Sequence, residues 1–235
     1  MKAYYDLHIH SALSPCSENE MTPNNIVNMA YLKGLNIIAV TDHNSVENCL
    51  AVMECAKEKG IIAVPGMELE TREEVHLICL FKCIDDALKM QEIVYNSLPD
   101  IKNRKDIFGE QIVIDKEDNV IKHVERLLLT AANFGIEEAI QQVSNLDGIV
   151  IPAHIDRDSY SIVSNLGMVP DNLNIKFLEI SKKCNKQQYS NDKKYEKYQF
   201  IQSSDSHSLE QIQEPVNFIE LEEMSVECLI STLGC

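Results

Sequence analysis

The chain has 235 residues, 45% hydrophobic and 25% charged, with a formal net charge of −16 at pH 7. It is long enough for one large core, and the strongly acidic balance disfavours long nucleic acid and anionic membrane surfaces as partners. No stretch has the length of a membrane span, and no apolar leader precedes the first strand. We therefore expect one domain over residues 1–235, located in the cytoplasm.

The first predicted strand, residues 5–9, runs into a polar turn that begins with His10. Side chains alternate across a strand, so Asp6, His8 and His10 share one face. Two neighbouring imidazoles at a strand end are typical of a site for a divalent ion, because the ion can share their lone pairs.

Helices and apolar strands then alternate along the chain. Thr22 and Pro23 predict the start of a helix that ends at Gly34. Further elements are predicted as a strand at 35–40, a helix at 45–60, and strands at 61–64 and 75–81. Apolar strands without a polar face indicate a parallel sheet covered by helices, in an α/β barrel or a doubly wound sheet.

The rhythm is less regular between residues 84 and 147, which we interpret as an insertion after the fourth strand. A hairpin is predicted there, with strands at 111–114 and 119–121 around the turn residues 115–118. Regular strands return at 148–153, 175–180, 200–203 and 216–219.

Six of the seven histidines lie at or within the ends of these strands, together with several acids. The histidines are His8, His10, His43, His76, His154 and His207, and the acids are Asp42, Glu68 and Asp205. The carboxyl ends of parallel strands meet on one face, where barrel enzymes build their sites. Since one tetrahedral ion takes about four ligands, this set predicts a cluster of two or three divalent ions, zinc, manganese or iron.

Taken in order, these motifs resemble those of the PHP superfamily, named for polymerase and histidinol phosphatase. The motifs are residues 6–11, 41–43, 66–68, His76, 152–154 and 204–207. The resemblance implies a distorted seven-stranded (β/α) barrel and phosphoester hydrolysis with two or three metals. It places His8, His10, Glu68 and Asp205 on one ion, Glu68, His76 and His154 on a second, and His43 and His207 on a third.

The loop after the first strand departs from the family pattern. Many members carry Asp-Gly, or a histidine one step later, where Pro15 and Cys16 stand here. Cys16 is a candidate thiolate ligand of the third ion, or a residue that only packs in the loop. Glu18 and Glu20 are alternative ligands.

Catalytic roles are expected for Glu68, Asp205 and His207, with a hydroxide between the ions as nucleophile. Arg157 and Ser11 are the candidate substrate-binding residues. A guanidinium can hold phosphate oxygens through paired hydrogen bonds, whereas the alternative for Arg157 is an ion pair with a neighbouring aspartate.

Three other features each have two interpretations. Asp6 and Asp42 either orient imidazoles or order the loop. Glu70 is expected to be a salt-bridged rim residue rather than a ligand. The lysine-rich residues 182–197 either attract an anionic substrate or form a solvated helix.

The expected function is hydrolysis of a small phosphate ester, a phosphomonoester or a nucleotide phosphate, so the expected partner is a small anionic phosphorylated substrate. The alternatives are a nuclease on short oligonucleotides and a non-catalytic metal-binding regulatory module. An amidohydrolase-like barrel also uses a His-x-His strand, but it usually needs a carboxylated lysine at a strand end, and no lysine is so placed. The oligomeric state stays open.

Overall fold

The protein is described by a computed structural model over residues 1–234. Its strands are β1 (Lys2–Ile9), β2 (Ile37–Val40), β3 (Ile62–Glu70), β4 (His76–Leu80), β5 (Ile112–Ile114), β6 (Val120–His123), β7 (Ile149–Pro152), β8 (Phe177–Ser181), β9 (Gln199–Ser203) and β10 (Phe218–Glu220). Its helices are α1 (Pro23–Lys33), α2 (Cys49–Lys59), α3 (Ile84–Ser97), α4 (Lys105–Phe108), α5 (Ile136–Asn145), α6 (Ile162–Leu166), α7 (Lys186–Ser190) and α8 (Val226–Leu233). None of the helices in this range is long and apolar enough to cross a lipid bilayer.

The first two helices begin and end where the sequence predicts. The Thr22 side chain accepts a hydrogen bond from the N–H of Asn25, and Pro23 occupies the first turn of α1, where its missing N–H costs nothing. Gly34 and Gly60 end α1 and α2 with φ of 76° and 69°, a conformation that glycine adopts without steric cost. Buried apolar residues of these helices pack with apolar residues of β2 and β3 in one hydrophobic cluster.

The main sheet has six strands in the order β10, β1, β2, β3, β4, β7. Strands β1, β2 and β3 are parallel, but β4 is antiparallel to both of its neighbours, and β10 is antiparallel to β1. The expectation of a parallel sheet is therefore wrong at β4 and β10. The cause at β4 is the connection, because residues 71–75 are too few for the crossover that parallel neighbours require.

Strands β8 and β9 form a separate parallel pair, in which β8 lies beside β7 and β9 lies beside β1. Beyond β7, the N–H of Ile155 donates to the carbonyl of Glu179 at 2.9 Å, and beyond β1 the N–H of His10 donates to the carbonyl of Ser206 at 2.9 Å. The α/β class is thus confirmed, as a curled half-barrel sheet compatible with the expected barrel. Seven strands and an insertion stay predictions.

Between β4 and β7 the chain forms α3, α4, the hairpin β5–β6 and α5. The hairpin lies where its two apolar segments predict it. Just before it, Gly109 has φ of 99°, and a Cβ there would lie 2.1 Å from the carbonyl oxygen of Pro15. The missing side chain therefore lets the end of α4 lie directly on the loop that follows β1.

Candidate metal centre

Six chain segments bring the predicted ligands to one edge of the curled sheet. His8 lies in β1 and His10 just after it, while His43 follows β2 and forms a bridge with Glu68 in β3. His154 follows β7. Two more ligands, Asp205 and His207, follow β9.

The reversed direction of β4 gives His76 its place in this group. His76 is the first residue of β4 and pairs with Glu70, the last residue of β3. Because the strand runs backwards, its start lies at the edge where the parallel strands end. A forward β4 would have carried His76 to the opposite edge.

Glu68 is the centre of the group and is 1% exposed. Its Oε1 lies 2.9 Å from His76 Nδ1 and 3.2 Å from the Nε2 atoms of His8 and His154. Its Oε2 lies 3.1 Å from His43 Nδ1 and 3.3 Å from His10 Nε2. One carboxylate thus faces five imidazole nitrogens.

Asp205 provides the second carboxylate. Its Oδ1 lies 3.1 Å from His10 Nε2 and 3.3 Å from His8 Nε2. Its Oδ2 forms an ion pair of 2.6 Å with Arg157, which therefore does not pair with its neighbours Asp156 or Asp158. The His207 ring stacks on the His10 ring, with centroids 4.4 Å apart.

The donor atoms of this group are better placed to bind divalent ions than to form hydrogen bonds with one another. The Nε2 atoms of His8 and His10 lie only 3.2 Å apart, and each also faces carboxylate oxygens. Within residues 1–234, three groups have ligand atoms within 4.8 Å of one another: His8, His10 and Glu68; His43, Glu68 and His76; and His10, His43 and His207. His154 and Asp205 lie beside these groups, so how the ligands divide among ions stays a prediction.

Hydrogen bonds on the far side of two imidazoles fix which nitrogen faces the centre. His8 Nδ1 donates to Glu179 Oε2 at 2.9 Å, and His10 Nδ1 contacts Ser14 Oγ at 2.9 Å. Ser14 Oγ in turn donates to Asp42 at 2.7 Å. A proton on each Nδ1 leaves the Nε2 lone pair free for an ion, so both carboxylates support metal binding from behind the ligands.

Glu179 is a residue of this group that the sequence analysis missed. It lies in β8, is 2% exposed, and accepts a hydrogen bond from the N–H of His154 at 3.1 Å as well as the bond from His8. The available signal was a single acid in an apolar strand, since buried carboxylates are rare without a partner.

The charges of the group follow from burial and close contact. Burial raises the pKa of Glu68 and of Asp205, but the surrounding histidines outweigh it and hold both pKa values well below the ordinary range. Burial lowers the pKa of His10, and hydrogen bonds to Asp205 and Glu68 reverse this and raise it to about 9. Burial and the neighbouring His10 lower the pKa of His207 to about 4, so the carboxylates keep their negative charge while not every histidine of the centre is charged.

Two of these residues have an unusual backbone conformation. His154 has φ of 30° and Asp205 has φ of 50°, values that residues with a side chain rarely adopt. Such strain concentrates at functional sites, where the surrounding structure holds it in place.

A cavity of about 360 Å³ opens over the centre. Its walls include Cys16, Glu70, Phe108, Arg157 and Tyr160 beside the histidines. Cys16 thus faces the cavity but belongs to none of the ligand groups found over residues 1–234. Cys16 is exposed to the cavity, and the partial desolvation of its thiol and the nearby Glu68 raise its pKa to about 12.

The structure shows what three other residues of the sequence analysis contact. Ser11 is fully buried, and its hydroxyl donates to Asp42 at 2.6 Å, so it supports the centre rather than lining the cavity. Asp6 accepts main-chain N–H groups of Ser204 and Gln213 and so orders loops. Glu70 forms no salt bridge within residues 1–234, so the rim ion pair expected for it is not found there.

The PHP domain family model matches residues 6–199 of the chain. A 5'-3' exoribonuclease from Haemophilus influenzae is 34% identical over 83 residues, which are 34% of this chain and 29% of that protein. An uncharacterized protein from Methanocaldococcus jannaschii is 34% identical over 105 residues, 40% of this chain and 59% of that protein. The chain therefore spans less than two thirds of the length of these relatives.

Solved structures share the fold at low identity. A lesion-specific endonuclease from Pyrococcus furiosus has a TM-score of 0.71 at 19% identity, covering 99% of this chain and 56% of that one. A structure of endonuclease Q with a 27-mer duplex carrying an abasic lesion has a TM-score of 0.67 at 19% identity, covering 100% and 57%. A protein from Bifidobacterium adolescentis, provisionally named a metal-dependent phosphoesterase, has a TM-score of 0.58 at 17% identity, covering 98% and 96%.

Proposed function

Because the chain belongs to the PHP domain family, we propose that it is a metal-dependent phosphoesterase that hydrolyses a small phosphate ester, a phosphomonoester or a nucleotide phosphate. One observation carries this above all: the buried Glu68 carboxylate has five histidine nitrogens within 3.3 Å. A structural zinc site would be closed by about four ligands, mostly cysteines, and would not open into a cavity.

The proposed ligands of two or three ions are the residues gathered at the sheet edge. They are His8, His10, His43, Glu68, His76, His154, Asp205 and His207, with Cys16 as a further candidate. When bound, zinc, manganese or iron would make water a nucleophile near neutral pH and offset charge on phosphoryl oxygens.

The chain's own residues bind and orient the substrate. Arg157 donates one N–H group to Asp205. Because a guanidinium has five N–H groups, others can donate to a phosphate oxygen in the same cavity. Glu179 and the Ser14–Asp42 pair keep the Nε2 atoms of His8 and His10 turned toward Glu68 and Asp205, where the ions would bind.

A nuclease is the second candidate. The net charge of −16 argues against a long polyanion, whereas the likeness in fold to an endonuclease seen with duplex DNA argues for one. The cavity volume of about 360 Å³ is that of a small-molecule pocket, which favours a small ester or a strand end over a bound duplex.

The proposal is tested by elemental analysis of protein purified without added metal, together with hydrolysis assays. The assays use a chromogenic phosphate ester, a panel of phosphorylated metabolites and a 5'-phosphorylated oligonucleotide. We expect two or three ions per chain and turnover of at least one small ester. Protein that is inactive on every substrate after metals are restored would instead support a binding module.

A further inference from the structure

The cavity has an outer wall that the proposed hydrolysis leaves without a role. Glu70 lies in this wall and is 8% exposed. Its carboxylate takes no hydrogen bond and no ion pair from any residue of the range 1–234, although its main chain bonds to Asn44 and Ala132. Its carboxylate oxygens are not among the fully buried unpaired atoms of residues 1–234, so they are open to the cavity and can accept hydrogen bonds from a molecule bound there.

Tyr160 lies beside Glu70 in an unusual conformation. Its φ is 54°, rare for a bulky residue, and its carbonyl accepts the N–H of His76 at 2.9 Å. The Tyr160 ring stacks on the His76 ring with centroids 4.8 Å apart and planes inclined by 24°. Because Glu70 and His76 are paired across β3 and β4, the carboxylate and this ring lie close together.

A second aromatic ring reaches the same cavity from the segment between β4 and β7. Phe108 ends α4 and is 39% exposed, and the close approach of Gly109 to Pro15 holds it over the cavity. Tyr160 is 45% exposed. Two exposed rings and one unpaired acceptor therefore face a space that also contains Arg157.

We infer that this outer wall is a recognition subsite for a nucleobase of the substrate, with Tyr160 and Phe108 contacting the ring and Glu70 accepting its N–H groups. The inference rests on the proposed function and narrows its substrate class to nucleoside phosphate esters. The base belongs either to a free nucleotide or to the terminal nucleotide of a strand, since both present the same ring beside a phosphate.

A nucleobase fits these groups better than a sugar or a glycerol does. The flat faces of a nucleobase stack on aromatic side chains. Such stacking depends little on which base is bound. Its ring or exocyclic N–H groups supply the donors that the Glu70 carboxylate lacks. Sugar hydroxyls also donate hydrogen bonds, but they would leave both rings exposed to water.

The test compares kcat/KM for a nucleoside monophosphate, a short 5'-phosphorylated oligonucleotide and glycerol phosphate. We expect the wild type to prefer one or both nucleotide substrates. Replacement Tyr160→Ala should lower the ratio of nucleotide to glycerol phosphate kcat/KM about tenfold or more, chiefly through KM, whereas Tyr160→Phe should keep most of it. Preference for the monophosphate assigns the base to a free nucleotide, and preference for the oligonucleotide assigns it to a strand end.

Two further experiments test the parts of the subsite separately. Glu70→Gln should lower the ratio of nucleotide to glycerol phosphate kcat/KM for bases with N–H donors. An unphosphorylated nucleoside should inhibit the wild type competitively but should not inhibit Tyr160→Ala. The matched control is Tyr31→Ala, since Tyr31 is 57% exposed on α1 outside the cavity and should leave every ratio unchanged.

The possible failures are distinguishable. No turnover of any ester by metal-loaded wild type would overturn the proposed function. Equal turnover of glycerol phosphate and nucleotides, with Tyr160→Ala lowering both alike and no inhibition by nucleoside, would overturn the subsite and leave the phosphoesterase standing. Metal content and circular dichroism of each variant exclude a loss of the centre or of folding as the cause.

Discussion

Two cavities of similar size lie in different parts of this molecule, and they differ in the contacts that their polar side chains make. One, of about 360 Å³, opens over the histidine cluster, and the other, of about 320 Å³, lies between the start of β7 and the end of α8. In the second, the ammonium group of Lys176 already donates to the carbonyls of Thr232 and Gly234 at 3.0 and 2.9 Å.

The contrast shows that volume does not identify a site. In the second cavity, Lys176 caps the carboxyl end of α8, which is an ordinary structural task. In the first cavity, imidazole nitrogens and carboxylate oxygens converge on the same points, as the ligands of a divalent ion do. Four predictions test this difference, beginning with the largest effect.

Removal of metal should abolish turnover of any substrate found, because the ligands alone supply no nucleophile. Manganese, zinc or iron should restore turnover to different extents, and calcium or magnesium less, because nitrogen ligands suit the softer ions. Ions at a hundred times their Kd should also stabilise the fold by about 3 kcal/mol, measurable as a higher Tm. Turnover that is indifferent to a chelator would contradict the metal-centre interpretation.

Glu68→Gln should lower kcat about a thousandfold and reduce the metal content. The change removes the negative charge of the carboxylate that five histidines contact. Elemental analysis and steady-state kinetics measure both effects. The matched control is Asp147→Asn in the second cavity, which should change neither. If both variants behave alike, the two cavities do not differ as proposed.

Glu179→Gln should weaken metal affinity by about 10- to 100-fold while the fold persists, because Glu179 orients His8 and the main chain of His154. Competition with a metal-sensitive dye measures the affinity. Asp6→Asn is the comparison, since Asp6 is equally buried but bonds to Ser204 and Gln213 rather than to a histidine. Equal affinities in Glu179→Gln and wild type would show that Glu179 has only a packing role.

Lys176→Met should have the smallest effect on function. It removes two hydrogen bonds to the end of α8 and should cost about 1 to 2 kcal/mol of unfolding free energy, or a few degrees in Tm. Denaturant titration measures the loss, and kcat should stay unchanged. A large fall in kcat would mean that the second cavity contributes to the chemistry.

The strand ends that hold the ligands were predictable because their signals are local. Alternation along β1 places His8 and His10 on one face whatever surrounds the strand, and an apolar run that ends in a histidine is visible in the sequence. The direction of β4 was also within reach, since the short link before His76 excludes a crossover.

Other parts of the site depend on contacts between distant segments, which local patterns do not contain. The pairing of Arg157 with Asp205 rather than with its neighbours requires the loops after β7 and β9 to meet. The place of Phe108 depends on how Gly109 rests on Pro15, some ninety residues earlier in the chain. Ser11 was expected to bind substrate, and only the fold shows that it is buried and bonded to Asp42.

The span of the ligand set has a consequence for how the molecule forms. His10 and Asp205 are in contact across 195 residues of sequence, so the centre includes some of the longest-range contacts in the chain. Contacts of such high sequence separation form late, because much of the chain must be ordered before they are made. During synthesis, a nascent chain cannot assemble the complete centre until residue 207 has left the ribosome. Full ion binding is therefore a natural reporter of completed folding.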